Sequence, residues 1–214
     1  MKVQRLKWEF TDINLAIAFF KKIAEKYIRD YQVDSDNQKV IEVLIKYFHG
    51  YTELILPSGV YGDPGKGIML MGAPGTGKTM IMKIFSDYVK YDRMFFMIDD
   101  KKRCNLSYPI IRSADIVKEF MTYGWDQVDM YAIRRIYCYD DLGEEPLSVA
   151  HYGTRANVMQ HLLETRYNRQ CLTMATTNHN LKELGDMYGE RVESRLQEMF
   201  NLITMTGKDR RNKV

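Results

Sequence analysis

At 214 residues, with 45% hydrophobic and 28% charged side chains, the chain is globular in composition and long enough for one sizeable core plus a small appendage. A formal net charge of +3 is too small to establish nucleic-acid binding by itself, and no apolar stretch approaches the length that spans a bilayer. Residues 1–7 are charged with no apolar signal region behind them, so a cytoplasmic protein without membrane contact is expected. Cys104, Cys138 and Cys171 are odd in number and widely spaced, which argues against a disulfide framework or a zinc site and for buried, inert thiols. The locally basic residues 208–213 read as a solvated tail.

In chain order, Ile13, Ile17, Phe20, Ala24, Tyr27 and Tyr31 recur at steps of three and four, predicting an amphipathic helix over residues 12–31. Ser35 with Gln38 has the form of a capping box for a second helix lined by Val40, Leu44 and Tyr47 and stopped at Gly50. Turn residues concentrate between Leu56 and Gly65, which places a domain boundary near residue 60. Residues 1–60 are then a helical segment too small to bury its own aromatic residues, Trp8, Phe10, Phe19 and Phe20 among them, so it must pack on the rest of the chain or dock a partner. Residues 61–214 form the main domain.

Within that domain, strand-like runs at 67–71, 108–112, 135–139, 171–175 and 202–205 alternate with helical patterns. One helix starts at the cap Ser113 and ends at Gly124, another is expected over 154–167, and a third carries Val192, Leu196 and Met199. The alternation predicts an α/β fold, a parallel sheet between layers of helices, with ligands at the carboxyl ends of the strands.

The chemistry gathers at those ends. Gly72-Ala73-Pro74-Gly75-Thr76-Gly77-Lys78-Thr79-Met80 follows the first strand and opens a helix, the spacing of a phosphate-binding loop. Glycines let backbone N–H groups approach phosphate oxygens, and the helix directs its positive dipole end at the same charge. Lys78 would reach the β- and γ-phosphates and the Thr79 hydroxyl would ligate magnesium. The strand ending at Tyr139 runs into Asp140, assigned to magnesium, and Asp141, assigned to the attacking water. Glu144 and Glu145, beyond the turn at Gly143, read as solvated. Asn178, just past the strand ending in Ala175, would sense the γ-phosphate if that strand lies between the phosphate-loop strand and the acidic one. Arg191 and Arg195 stand four apart on one helical face. Either they pair locally, Arg195 with Glu198 and Arg191 with solvent, or one is an arginine finger that makes hydrolysis depend on assembly.

The ordered set GAPGTGKT, IYCYDDLG, ATTN and GERVESRL resembles the AAA+ ATPases of the DnaC-type replicative helicase loaders and the related IstB-type transposition ATPases, over roughly residues 66 to 206. The resemblance implies a P-loop NTPase (AAA+) fold and an ATPase that uses ATP and magnesium. Walker A would be Gly72 to Thr79, the Walker B acids Asp140 and Asp141, sensor 1 Asn178, and the arginine finger Arg195 with Arg191 as second candidate. It implies a homo-oligomer with ATP between subunits and single-stranded DNA along its inside. The N-terminal helical segment would hold a replicative helicase, or a transposase in the alternative reading. Lys118, Tyr123, Trp125, Arg134, Arg155 and the basic tail are available for DNA. Two departures from the pattern stand out. Asp141 occupies a position where many AAA+ proteins have glutamate, so slow turnover is expected. The eight residues after Thr206 leave no room for a C-terminal lid domain. Outside this group, a P-loop small-molecule kinase and a nucleotide-gated binding module are the other readings.

Overall fold

A computed structural model describes residues 4–5, 12–91, 95–98 and 102–211, without side chains for 4–5, 95–98 and 102–104. Trp8 and Phe10, expected to need cover, and the end of the tail at residues 212–214 lie outside the described residues. The chain opens with β1 (Gln4–Arg5), α1 (Ile13–Ala24), α2 (Gln38–Phe48), β2 (Leu54–Ile55), β3 (Tyr61–Gly62), β4 (Gly67–Met71) and α3 (Lys78–Tyr91). It continues through β5 (Phe95–Ile98), β6 (Lys102–Asn105), β7 (Ile110–Arg112), α4 (Ser113–Tyr123), α5 (Trp125–Ile133) and β8 (Ile136–Asp140). The remainder is β9 (Val149–His151), β10 (Thr154–Ala156), α6 (Val158–Asn168), β11 (Leu172–Thr177), α7 (Leu181–Tyr188), α8 (Glu190–Met199) and β12 (Phe200–Thr204).

The chain packs as two compact units. One comprises residues 1–65, 74–108 and 203–214; the other comprises 66–73 and 109–202. The expected boundary near residue 60 divides the sequence, whereas the packing puts α1, α2 and α3 in one unit. Their apolar stripes meet there: Phe20 lies 4.9 Å and Phe48 5.2 Å from Phe85, ring centre to ring centre, and Phe48 stacks on Tyr108 at 6.1 Å. Burying each such side chain contributes about 1.5–3 kcal/mol, so the helical pair gains from α3 the cover it cannot supply itself. Buried His49 hydrogen-bonds the Tyr88 hydroxyl at 2.8 Å within the same cluster. Leu15, Phe19, Tyr27 and Ile28 remain exposed.

The first helix starts where expected but ends at Ala24, short of Tyr31, and the start of the second differs from expectation. Asp12 caps α1 by accepting the Asn14 N–H. The second helix begins at Gln38 behind Asn37, and the Ser35–Gln38 capping box does not form, because the Asn37 carboxamide ties down residues 32–34 instead. Gly50, at φ 76°, ends α2 where it was expected to.

A five-stranded sheet has the order β12-β4-β11-β8-β7, and β4, β11, β8 and β7 lie wholly in the second unit. Its pairs β4–β11, β11–β8 and β8–β7 are parallel, with Thr177 beside Met71, Ala175 beside Tyr139 and Arg112 beside Asp140. Every residue of β8 and β11 is buried, as strands covered on both faces require. The apolar face of α4 (Ile116, Val117, Phe120) shares one core with Val158, Leu162, Leu184, Val192 and Leu196 of the later helices. Gly67 is needed where β4 meets β11, since a Cβ there would lie 1.7 Å from the Thr173 carbonyl oxygen.

Residues 154–156, expected to begin a helix, are strand. β9 and β10 form an antiparallel hairpin, and the helix starts only at Val158, capped by the Asn157 side chain on Gln160 N. The glycine at 153, with φ 85°, supplies the turn, and helical periodicity after it masked the short strand.

Candidate functional site

From the carboxyl end of β4 the chain turns through Gly72, Gly75 and Gly77, at φ 139°, 83° and 98°, and enters the 14-residue helix α3 at Lys78. Side chains other than hydrogen rarely adopt these angles, so the glycines are required by conformation. The turn ends on a helix N-terminus, where unpaired N–H groups and the helix dipole favour an anion. Thr76 and Lys78 are buried.

Lys208, Asp209 and Arg211 of the predicted solvated tail are exposed, but the tail meets this loop at Asp209 and Arg210. The Arg210 N–H donates to the Gly75 carbonyl at 2.9 Å, and a Cβ at Gly75 would lie 2.1 Å from Asp209 Oδ1. The Arg210 guanidinium grips Asp34 with two hydrogen bonds of 2.7 and 2.9 Å and holds that carboxyl below its usual range. Asp34, 176 residues earlier, is the partner that the local charge run could not reveal.

The acidic pair stands at the end of β8, within the second unit. Asp140, only 4% exposed, ends β8, and its Oδ1 accepts the Thr176 hydroxyl at 2.6 Å. The same hydroxyl accepts the Asp141 N–H at 3.0 Å, and Leu142 N donates to the Thr176 carbonyl at 2.8 Å. Asp141 sits at φ 55°, a left-handed position that aspartate tolerates better than most residues, so the chain turns sharply just after the carboxylate pair. Thr176 therefore orients the Asp140 carboxylate and holds the backbone at Asp141. The Thr-Thr doublet before Asn178 was its only signal in the sequence.

β11 lies between β4 and β8, which meets the condition set for Asn178. The Asn178 Nδ2 donates to Glu144 Oε1 at 2.9 Å, and His179 Nε2 lies 3.5 Å from the same oxygen. Glu145, expected in solvent with Glu144, is buried: it accepts the Tyr188 hydroxyl on one oxygen and the Gly143 N–H at 3.0 Å on the other. Burial pushes its carboxyl above the ordinary 4.5 and pushes the Tyr188 hydroxyl up as well. Glu145→Ala should cost about 1–3 kcal/mol by stranding two donors, while Glu145→Gln retains an acceptor. A raised folded-state pKa contributes stability below the unfolded value that is lost as pH rises through the raised value. Urea midpoints at about pH 5 and about pH 8 should therefore fall more for the wild type than for Glu145→Gln.

Of the arginine pair, Arg191 is exposed. Arg195 is 11% exposed, 3.4 Å from Glu164 and 4.7 Å above the Tyr167 ring, while Glu198 accepts the Tyr167 hydroxyl. The local pairing of Arg195 is thus with α6 and not with Glu198. Among the DNA candidates, Lys118, Tyr123, Arg134 and Arg155 are exposed; Trp125 is half-buried against Phe120 and His161. Cys138 is fully buried with its thiol pushed up, whereas Cys171 is only half-buried. Among the described residues no helix is long and apolar enough to cross a membrane.

Comparison with solved structures decides the fold. The DnaC helicase loader superposes with a TM-score of 0.59 at 18% identity, over 88% of this chain and 99% of that one. The chain has the AAA+ fold of the DnaC-type helicase loaders. DnaI matches this chain equally, at 0.59 and 19% identity over 89% of this chain and 93% of the other. AMPPCP-bound DnaA from Aquifex aeolicus matches at 0.51 and 19% identity, over 85% of this chain but 50% of that chain. No protein-family model and no curated protein matches the sequence.

Proposed function

We propose that this AAA+ chain is a DNA-replication helper of the helicase-loader kind, an assembly-dependent ATPase that binds Mg-ATP and single-stranded DNA as an oligomer. The observation that carries the reading is the sheet order, with the strand of Asn178 between the strand that opens the phosphate loop and the strand that ends in Asp140. Similarity to DnaC and DnaI, and to a DnaA bound to AMPPCP and single-stranded DNA, supports the same class.

In this reading the residues from Gly72 to Met80 cradle the nucleotide phosphates with backbone N–H groups, and Lys78 pairs with the β- and γ-phosphates. Magnesium, on the Thr79 hydroxyl and the Asp140 carboxylate, would neutralise phosphate charge. The donor types fit, since a hydroxyl and a carboxylate are hard oxygen ligands. Asp141 takes the proton of the attacking water, and Asn178 donates to the γ-phosphate or to that water. A guanidinium from α8 completes a neighbouring subunit's site. Arg191 is the more accessible; Arg195 must first leave Glu164 and Tyr167. The N-terminal helices offer the exposed α1 face to a replicative helicase.

The test is ATP hydrolysis over a series of protein concentrations, with and without single-stranded DNA, in wild type, Arg191→Ala and Arg195→Ala, with melting temperatures alongside. Turnover rising more than linearly with concentration, responding to DNA and collapsing in a variant that still folds is the expected result. Turnover proportional to concentration and indifferent to DNA and both arginines would sink the shared-site mechanism.

A further inference from the structure

The segment after the acidic pair contains a side chain that the reading above does not use. Glu144 lies 34 residues from Asn178 in sequence, yet its Oε1 accepts the Asn178 Nδ2–H at 2.9 Å. A carboxylate only accepts hydrogen bonds, so the amide must turn its nitrogen toward Glu144 and cannot exchange its oxygen into that place. Glu144 is itself held. His179 Nε2 lies 3.5 Å from Oε1 and is buried, while His179 Nδ1 lies 3.6 Å from Glu183 Oε2. Glu183 in turn closes the capping box of α7 with Asn180, at 2.7 and 3.0 Å. The absence of a side chain at Gly143, at φ 97°, admits the imidazole: a Cβ there would stand 2.6 Å from His179 Cδ2. Asn178 is therefore anchored through a series of polar groups to the first turn of a helix.

We infer that Glu144 is a positioning residue for Asn178, fixing the amide's flip and rotamer so that it meets the γ-phosphate or the attacking water without first having to reorient. The inference rests on the proposed role of Asn178. In this role Glu144 acts through Asn178 and not on the nucleotide or the attacking water. An amide ordered before the reaction costs no reorganisation during it, so losing the anchor lowers the hydrolysis rate more than nucleotide binding.

The experiment measures single-turnover hydrolysis of Mg-ATP, affinity for a fluorescent ATP analogue and melting temperature in the full chain. The variants are Glu144→Ala, Glu144→Gln, Asn178→Ala and the double alanine variant. Glu144→Ala is expected to slow hydrolysis about tenfold, the scale of one lost hydrogen bond, with affinity and melting temperature unchanged. Glu144→Gln, whose amide oxygen still accepts from Asn178, should recover most of the rate. The double variant should be no slower than Asn178→Ala alone. Additive losses, a Gln variant as slow as the Ala variant, or normal hydrolysis in Glu144→Ala beside a slow Asn178→Ala would overturn the inference and leave the role of Asn178 standing. Normal hydrolysis in Asn178→Ala would overturn both.

Discussion

Arg166→Ala is expected to lower the unfolding free energy by about 3–5 kcal/mol, the scale of breaking a buried charged network. Arg166 is 0% exposed and is fully engaged: its Nε donates to Thr173 Oγ1 at 2.8 Å and its Nη2 to the Leu172 carbonyl at 2.7 Å. Its Nη1 reaches the carbonyls of Tyr131, Ala132 and Arg134 at 3.1, 3.4 and 2.7 Å, the open end of α5, and the guanidinium lies 5.5 Å from the Tyr139 ring. A cation at a helix C-terminus is favourable, and each buried carbonyl left without a donor costs about 1–3 kcal/mol. The side chain fastens α5 and α6 to the amino end of β11, and the carboxyl ends of β8 and β11 carry Asp140 and Asn178. Urea unfolding is the measurement. Arg166→Lys should recover only part of the loss, because an ammonium cannot reproduce the planar fork. A midpoint within error of wild type for the alanine variant would refute the assignment.

Lys78→Ala should weaken Mg-ATP binding by about 10- to 100-fold, the loss of a charge-assisted hydrogen bond worth about 1.5–3 kcal/mol. Titration with a fluorescent ATP analogue reads the affinity directly. A ligand at about 100 times its Kd stabilises the folded state by about 2.7 kcal/mol, so thermal melting with Mg-ATP gives a second readout in which the variant shows a reduced shift. Alanine is a good helix former, so α3 itself should persist. Unchanged affinity in a folded Lys78→Ala variant would remove the phosphate assignment and, with it, the ATPase reading.

How far the sequence could be read depended on the range of the forces involved. The strand of residues 67–71, the glycine turn after it and the helix beginning at Lys78 were legible because buried strands, left-handed turns and helix starts each impose a local pattern. The same locality misled at residues 154–156, where a three-residue strand too short to set a pattern precedes a true helix, and at Ser35, whose spacing to Gln38 mimics a cap. Glu145 was misread because one acidic residue in a charged run looks like another until Tyr188 and Gly143 are seen to satisfy it.

The sequence by itself determined the alternation of strands and helices, the glycine turn before α3, and the acids and amide that stand at strand ends. Tertiary structure decided the order β4-β11-β8 that gives Asn178 its place, and the partners that hold the site. Thr176 on Asp140, Glu144 on Asn178, Asp34 on Arg210 and the carbonyls on Arg166 join residues from six to 176 positions apart. Local patterns record what each backbone segment needs from its immediate neighbours. Which buried polar group satisfies which other is settled only when packing brings distant segments together and removes the water that would have served either one.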